Sequence, residues 1–434
     1  MDNNRGDIGR LKELLPDNWT LTTISEIGQV ITGKTPSTNR REYWYGEIPF
    51  ITPPDLVGRE IFQARRSISK EGLKVAKPLP KGTVLVSCIG YIGKVGIVAS
   101  DCAVTNQQIN AVIPTNSVDS WFLLYLFQHL KSLFIDSAAI TTVPILSKHN
   151  FEVLPIRIPP INEQRAIAYV LRTVQRAKEA TEKVITAARQ LKQSLMRHLF
   201  TYGPVPFHEA DQVELKETRI GKLPLHWREI PFGEIASFKN GINFKADQKG
   251  RGLLTVDVLN MYRGGNFIQM EDLYRVDIEV NESYLLKRND IIFVRSSLKQ
   301  EGVGWAALFP GHSEPVTFCG FLIRSRIDNE RVLPEFLVNY FRLPSVRQML
   351  VSKSGKVAIT NISQGNLKTS PVFLPPIEEQ KEIVEILSFL DEKILNEERR
   401  YNAINILFLT LLHHLMTGQI RVHDLGFPVT EEAA

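Results

Sequence analysis

Apolar positions recur at alternating spacings of three and four along two stretches that contain neither proline nor glycine, Ile161 to Tyr202 and Ile377 to Thr417. In the first the stripe is Ile167, Val170, Val174, Ala177, Thr181, Val184, Ala188, Leu191 and Leu195. In the second it is Leu387, Leu390, Ile394, Glu397, Tyr401, Ile404, Phe408, Leu411 and Leu415. This is a heptad pattern, and a helix that carries one needs a partner helix to cover it. Pro159-Pro160 and Pro375-Pro376 stand directly before the two stretches, where proline fits a helix start but would break an interior. Gly203-Pro204 and Gly418 mark where the helices stop. The simplest expectation is that each stripe covers the other. About 38 residues at ~1.5 Å rise give a rod of ~57 Å. Antiparallel pairing would put one lobe of the molecule at each end, related by an approximate two-fold axis.

Ahead of each helix the pattern changes to short β-segments separated by Gly, Pro and Asn turns. Gly82 to Ser87 and Asp290 to Val294 read as strands, and Ser120 to Leu130 and Glu335 to Phe341 as short helices. These parts repeat as well. Leu15-Pro16-Asp17-Asn18-Trp19 returns 208 residues later as Leu223-Pro224-Leu225-His226-Trp227, and Glu26-Ile27 and Gly33 return as Glu234-Ile235 and Gly241. Phe122-Leu123 matches Phe336-Leu337. Ile158-Pro159-Pro160-Ile161-Asn162-Glu163-Gln164 returns 216 residues later as Leu374-Pro375-Pro376-Ile377-Glu378-Glu379-Gln380. Two units of ~200 residues are too few and too long for a solenoid, whose repeats run ~20–50 residues. Length alone, 434 residues at ~150 per domain, would have suggested about three domains. The repeat divides the chain by two instead.

Composition narrows the class. With 43% hydrophobic and 23% charged residues the chain can bury a real core. Cys88, Cys102 and Cys319 cannot make a disulfide framework, and no CxxC pair suggests zinc. Met1 to Asp7 lacks the apolar run of a signal peptide, and Ile404 to Met416 is shorter than the ~18 residues of a membrane span. A cytoplasmic protein without a membrane partner is expected. The net charge of +5 permits an anionic partner without demanding one.

Catalytic motifs fail on context. Gly28 to Thr35 matches the phosphate-loop pattern GxxxxGK[ST], yet Pro36 follows and no helical periodicity comes after it. Gly90, Gly93 and Gly96, with Gly302 and Gly304 at the equivalent place, read as turns because no βαβ unit surrounds them. A nuclease built on Pro54-Asp55 would need a nearby Asp-x-Lys, and Asp247-Gln248-Lys249 and Asp391-Glu392-Lys393 lie in the other copy and on the long helix. Thr52-Pro53-Pro54-Asp55 lacks both ends of an amino-methyltransferase motif. His198 and His414 sit at helix ends, where a cation favours the dipole and caps carbonyls. No catalytic or metal residue is expected.

The loops of the front lobes hold the chemistry that nucleic acid needs. Lysine and arginine neutralise phosphates, while arginine, asparagine and glutamine can pair with base edges. Copy one offers Lys34, Thr35, Ser37, Arg40 and Arg41 beside Tyr43-Trp44-Tyr45, then Ser87, Tyr91 and Lys94, then Gln107 within Asn106-Gln107-Gln108. Copy two offers Asn243 and Lys245 after Lys239 and Asn240, then Arg263, Arg295, Ser296, Lys299, Lys353 and Lys356. Each of these residues alone could be ordinary loop surface.

Leu15-Pro16-x-x-Trp19, Gly33-Lys34-Thr35-Pro36-Ser37, Tyr43-Trp44-x-Gly46, Ile48-Pro49-Phe50-Ile51, Thr105-Asn106-Gln107-Gln108 and the two Pro-Pro-Ile-x-Glu-Gln segments span nearly the whole chain. Together they resemble the DNA-specificity subunit of Type I restriction–modification enzymes. In copy two, Gly241-Ile242-Asn243-Phe244 replaces Gly-Lys-Thr-Pro, and Val316 to Gly320 replaces Thr-Asn-Gln-Gln. The resemblance implies an α+β fold of two pseudo-two-fold-related β-rich target-recognition domains separated by an antiparallel coiled coil. It places the first target-recognition domain at 1–155, the central helix at 156–205, a linker at 206–222, the second domain at 223–372, the C-terminal helix at 373–420 and a tail at 421–434. Each domain would read half of an asymmetric, bipartite double-stranded DNA site. Two methyltransferase subunits and motor–nuclease subunits would dock on this non-catalytic chain. S-adenosylmethionine, ATP and Mg²⁺ would belong to those partners. The rival readings are a coiled-coil assembly scaffold without its own readout, and a nuclease or methyltransferase acting alone.

Overall fold

The structure is a computed structural model that describes residues 16–139, 142–262, 265–297, 302–352 and 360–425. The N-terminal segment on which the signal-peptide reading rests, and Leu15 of the Leu-Pro-x-x-Trp repeat, lie outside the described residues. Two units emerge: one joins the chain up to Glu182 with Arg399 onward, the other is Lys183–Glu398. Each therefore owns one β-rich lobe and half of each long helix.

In the first unit a five-stranded sheet has the order Gly28–Thr32, Ile109–Pro114, Val84–Ser87, Val95–Val98, Glu60–Ile61. A four-stranded sheet, Arg66–Ile68, Trp44–Ile51, Cys102–Thr105, Leu79–Pro80, packs beside it. The helix Ser120–His129, whose Phe122 to Phe127 are all buried, covers the first sheet. The strand after the first tryptophan, Thr20–Thr23, runs antiparallel to Pro155–Ile158, with Thr20 opposite Ile158. The second unit repeats this plan. Its four-stranded sheet is Ala236–Asn240, Leu322–Ile327, Ile291–Val294, Ala306–Leu308, and a three-stranded sheet is Tyr274–Val276, Lys249–Val256, Val316–Phe318. The helix Pro334–Phe341 takes the covering role, and Arg228 stands opposite Leu374 as Thr20 does opposite Ile158. Residues 206–222, expected as a linker, hold a 3₁₀ turn at Phe207–Gln212, the strand Leu215–Thr218 and the start of its partner Gly221–Pro224.

The long helices run Ile161–Tyr202 and Ile377–Thr417, the bounds that the flanking proline and glycine residues predict. The glutamine of each Pro-Pro-Ile-x-Glu-Gln segment explains why that motif repeats. Gln164 is buried, donates from Nε2 to Pro159 O at 2.9 Å and Ser117 O at 3.1 Å, and accepts from Asp119 N at 2.9 Å. Gln380 makes the same three bonds to Pro375 O, Arg331 O and Leu333 N, at 3.0, 3.0 and 2.9 Å. One amide thus pins the start of the long helix to the start of the short helix, and both its oxygen and its nitrogen are paired. The neighbouring glutamates diverge. Glu379 accepts from Trp227 Nε1 at 3.1 Å, whereas Glu163 holds Arg421 at 2.6 and 2.8 Å and the indole nitrogen of Trp19 is buried without a partner.

Within each unit the helices pair antiparallel, since residue numbers rise on one as they fall on the other. In the first unit Lys178 bonds Asn405, and Arg421, four residues past the end of the second helix, bonds Glu163 near the start of the first; in the second unit Arg189 bonds Glu398 and Lys192 bonds Asp391. The expected α+β class, two β-rich domains with an antiparallel pair of long helices, is the class observed. The stripe on the second helix is buried or half-buried at all nine expected positions. The first helix needs a correction. Ala177, Val184 and Leu191 are exposed, and Lys178, Ile185 and Lys192 face inward instead. An α-helix drifts ~20° per heptad against an ideal 3.5 repeat, so a seam can move one residue along. Here two lysines take seam positions because their stems bury while their ammonium groups reach Asn405 and Asp391.

Candidate nucleic-acid interface

One end of each large sheet carries a crossing of loops that is alike in backbone and unlike in side chain. In the first unit Gly33 donates its N–H to Ile109 O at 3.1 Å and Lys34 donates to Thr105 O at 2.9 Å. A Cβ on Gly33 would lie 2.2 Å from Asn106 O, so only glycine permits the approach. The crossing seats the Thr35 hydroxyl on Gln107 Oε1 at 2.7 Å. Cys88 then donates its N–H to Gln108 O at 2.8 Å, which ties in the hairpin at 87–94. That hairpin turns through Gly90 and Gly93, at φ +74° and +81°, and leaves Tyr91 exposed with the Lys94 ammonium 5.3 Å from its ring centre. Lysine, threonine, glutamine and tyrosine side chains from three loops therefore share one edge.

The second unit rebuilds the same crossing. Gly241 donates to Leu322 O and Ile242 to Phe318 O, both at 3.0 Å, and Arg295 donates to Phe321 O at 2.8 Å. A Cβ on Gly241 would meet Cys319 O at 2.0 Å. These bonds place Phe318-Cys319-Gly320-Phe321 where the first unit has Thr105 to Gln108, two residues further on than the sequence alignment from Val316. Asn243 is exposed and lines a cleft of about 350 Å³ with Glu279, Asn281 and Tyr284. Lys239 lies over Tyr284, 3.9 Å from the ring centre. The thiols at these crossings are packing groups: burial pushes Cys88 up to about 11, and burial followed by the Asp257 carboxylate pushes Cys319 higher still. Among the described residues no group of three or more His, Cys, Asp or Glu could hold a metal ion.

Comparison with known proteins agrees with this duplicated architecture. The family model of the Type I restriction modification DNA specificity domain matches residues 16–189 and again 224–405. The chain belongs to this family. The Type I restriction enzyme MjaIX specificity subunit of Methanocaldococcus jannaschii is 25% identical over 431 residues, covering 96% of each chain. The EcoKI specificity subunit of Escherichia coli K12 is 24% identical over 85% of this chain and 81% of that one. A Type I S subunit from M. genitalium shares the fold at TM-score 0.60 and 17% identity, covering 92% of this chain and 97% of that chain. A chain from a structure of the type I R-M system does so at TM-score 0.55 and 14% identity, covering 94% and 99%. The chain is a specificity subunit of the Type I kind, a recognition component rather than an enzyme.

As a specificity subunit it carries most of its sequence-nominated residues on the described surface. Lys34, Ser37, Arg40, Arg41, Tyr91, Lys94 and Gln107 are exposed in the first unit and Thr35 is half-buried. Arg40 leans on Tyr43, donating to its hydroxyl at 2.9 Å. In the second unit Asn243 and Lys245 are exposed, while Arg295 and Ser296 are half-buried, Ser296 pairing opposite Asn361 in a two-stranded ribbon. Arg263, Lys299, Lys353 and Lys356 lie outside the described residues. Ser87 is a correction. It is fully buried, bonds Tyr91 O and accepts from Lys94 N at 2.9 Å, so it shapes the hairpin rather than meeting a ligand. Its structural counterpart is the equally buried Val294, since Gly93 donates to Ser87 O as Gly304 does to Val294 O. Tyr45, offered by the sequence within Tyr43-Trp44-Tyr45, is 89% exposed with φ +63°, and the structure adds two residues: Lys77, exposed and bonded to Thr32 O, and Arg66, stacked 3.9 Å from the Trp44 ring centre. The basic residues Lys77 and Arg66 are far along the chain from the motif that they join.

The phosphate-loop match also resolves here. Gly28–Thr32 is a strand, and the first helical residues after it are a single 3₁₀ turn at Arg41–Tyr43. Asp55 accepts from Thr52 N and Oγ1 at 2.9 and 2.6 Å and so caps a turn. Among the described residues no helix is long and apolar enough to cross a membrane.

Proposed function

We propose that each unit reads one half of an asymmetric, interrupted double-stranded DNA site through its loop crossing. The observation that carries this reading is the pair of crossings, superimposable in main-chain bonding and different in the side chains they display. Lys34, Arg40, Arg41 and Lys94 in one unit and Lys245 in the other supply phosphate contacts, which position the subunit without reading sequence. Thr35, Gln107 and Tyr91 in the first unit, and Asn243, Arg295 and Ser296 in the second, face the base edges. An amide such as Gln107 or Asn243 has the donor and acceptor geometry for adenine. Two methyltransferase subunits and, in the restricting complex, motor–nuclease subunits assemble on this chain in the cytoplasm. S-adenosylmethionine, ATP and Mg²⁺ are theirs.

The modular reading is tested by exchanging Trp19 to Ile158 for the corresponding segment of another specificity subunit and mapping methylated sites in the host genome. A change confined to one half-site is expected. A change in both halves would overturn independent reading. The scaffold alternative predicts no sequence preference when the assembled complex competes for cognate and scrambled duplexes.

A further inference from the structure

Each recognition domain meets its own half of the long-helix pair through a small polar cluster, built at equivalent repeat positions from different side chains. In the first unit Gln128, at the end of the helix Ser120–His129, donates from Nε2 to Gly58 O at 3.2 Å. Gln175, on the first long helix, donates from Nε2 to the same carbonyl at 3.3 Å and accepts from the buried Tyr125 hydroxyl at 2.9 Å. Gln175 Nε2 also donates to Glu179 Oε1 at 3.0 Å, and Glu179 faces Arg59 at 3.8 Å, so two amides on a backbone carbonyl adjoin an ion pair. Arg342 lies 214 residues beyond Gln128, the offset that separates Phe122 from Phe336, and Asp391 lies 216 beyond Gln175, the offset between Gln164 and Gln380. The loops correspond as well: Ile97 donates its N–H to Arg59 O at 3.1 Å and Leu308 to Asn266 O at 2.9 Å.

In the second unit Arg342 donates from Nη1 to Asn266 Oδ1 and from Nε to Ala306 O, both at 2.8 Å. Asn266 donates from Nδ2 to Asp391 Oδ2 at 3.2 Å, and Lys192 reaches Asp391 from the other long helix. The arginine lies over Trp305, and its Nη2 is buried without a partner. Burial pulls its guanidinium down to about 10, and Asp391 acts against that shift. The apolar contacts around both clusters are non-directional and tolerate a small rotation of lobe against helix. Directed bonds between polar groups do not, because each holds only near its own length and direction and weakens steeply once misaligned.

We propose that these two clusters are positioning clamps: each fixes the angle of its recognition domain on the helices and thereby the half-site separation that the subunit accepts, through Gln128 and Gln175 on Gly58 O in the first unit and through an arginine–aspartate pair bridged by Asn266 in the second. The proposal rests on the half-site reading above. Gln128, Gln175, Arg342 and Asp391 touch no DNA in it; they act through the orientation of the loops that do.

The test uses the full chain assembled with its modification subunits, and duplexes whose two half-sites are separated by the preferred spacer or by one base pair more or less. For each variant, two ratios of methylation rate are measured: preferred over altered spacer, and cognate over single-base-changed half-site. Asp391→Asn, which leaves Arg342 buried without its counter-charge, should lower the spacer ratio at least 10-fold and move the base ratio less than 3-fold. Joining Arg342→Gln to Asp391→Gln copies the amides of the first unit and should return the spacer ratio to within 3-fold of the unaltered protein. Gln175→Ala should lower the spacer ratio 3- to 10-fold, and it decides the matter alone if Asp391→Asn does not fold. Spacer ratios unchanged by these substitutions, or spacer and base ratios falling together, would overturn the clamps, as would failure of the double variant to recover. An unaltered protein with base selectivity but no spacer preference would overturn the clamps and leave half-site reading in place. Loss of both preferences in the unaltered protein would bring down half-site reading itself.

Discussion

The first crossing displays Lys34, Thr35, Gln107 and Gln108; at the matching places the second has Ile242, Asn243, a buried Gly320 and an exposed Phe321. Lys94 of the first corresponds to the half-buried Trp305 of the second, because Ser87 N and Val294 N donate to their carbonyls at the same 2.9 Å. Backbone geometry has thus been kept while nearly every outward side chain has changed. Two glycines make this separation possible, since Gly33 and Gly241 each pass so close to a facing carbonyl that no side chain fits. A recognition surface built in this way can change its target without rebuilding its frame. The same contrast holds at the helix anchors, where amides in one unit stand where charges stand in the other.

Disturbing the shared frame should have the largest effect. Gly33→Val and Gly241→Val each force a Cβ into backbone oxygen, a clash that costs at least ~1–3 kcal/mol when the surroundings yield. Each should lower the thermal midpoint of its own unit and abolish methylation of sites containing its half-site, by more than about 100-fold if ~3 kcal/mol of transition-state binding is lost. An equal loss of single-base binding discrimination in both half-sites from Gly33→Val alone would show that the units are not independent readers. Changing what the frame displays should have a smaller, position-specific effect. Gln107→Ala should relax discrimination at one base pair of the first half-site by ~1–3 kcal/mol, and Asn243→Ala should do so at one base pair of the second. Competition binding with single-substituted duplexes measures this, and relaxation spread over both halves would count against the assignment. The smallest effect belongs to phosphate contacts. Lys94→Ala and Lys245→Ala should weaken all sequences alike and reduce the slope of log affinity against log salt by about one each, leaving the order of preferred sequences unchanged.

The pattern along the chain carried the helices and the repeat. Proline pairs and glycines bound the long helices to the residue, because a ring without an N–H and a residue free to take positive φ act locally. The second stripe was legible for the same reason. The first misled at Ala177, Val184 and Leu191, since which of two neighbouring rows faces inward depends on the partner helix and on where lysine heads find acceptors. Ser87 misled because a serine between apolar residues looks the same whether its hydroxyl faces solvent or closes a turn. The match between Val316 and Thr105 slipped by two because the second crossing contains none of the first one's polar letters.

By itself the sequence determined the duplication, the two β-rich lobes, the two long helices and the family, because these rest on local chemistry and on recurrence along the chain. Tertiary structure alone decided which loops share an edge, which residues of the two units correspond, and that Gln175 and Asp391 anchor their domains. Those are relations between residues tens to hundreds of positions apart: the crossings are set by main-chain bonds that residues of many types can make, and the anchors by side chains whose partners only the fold brings near.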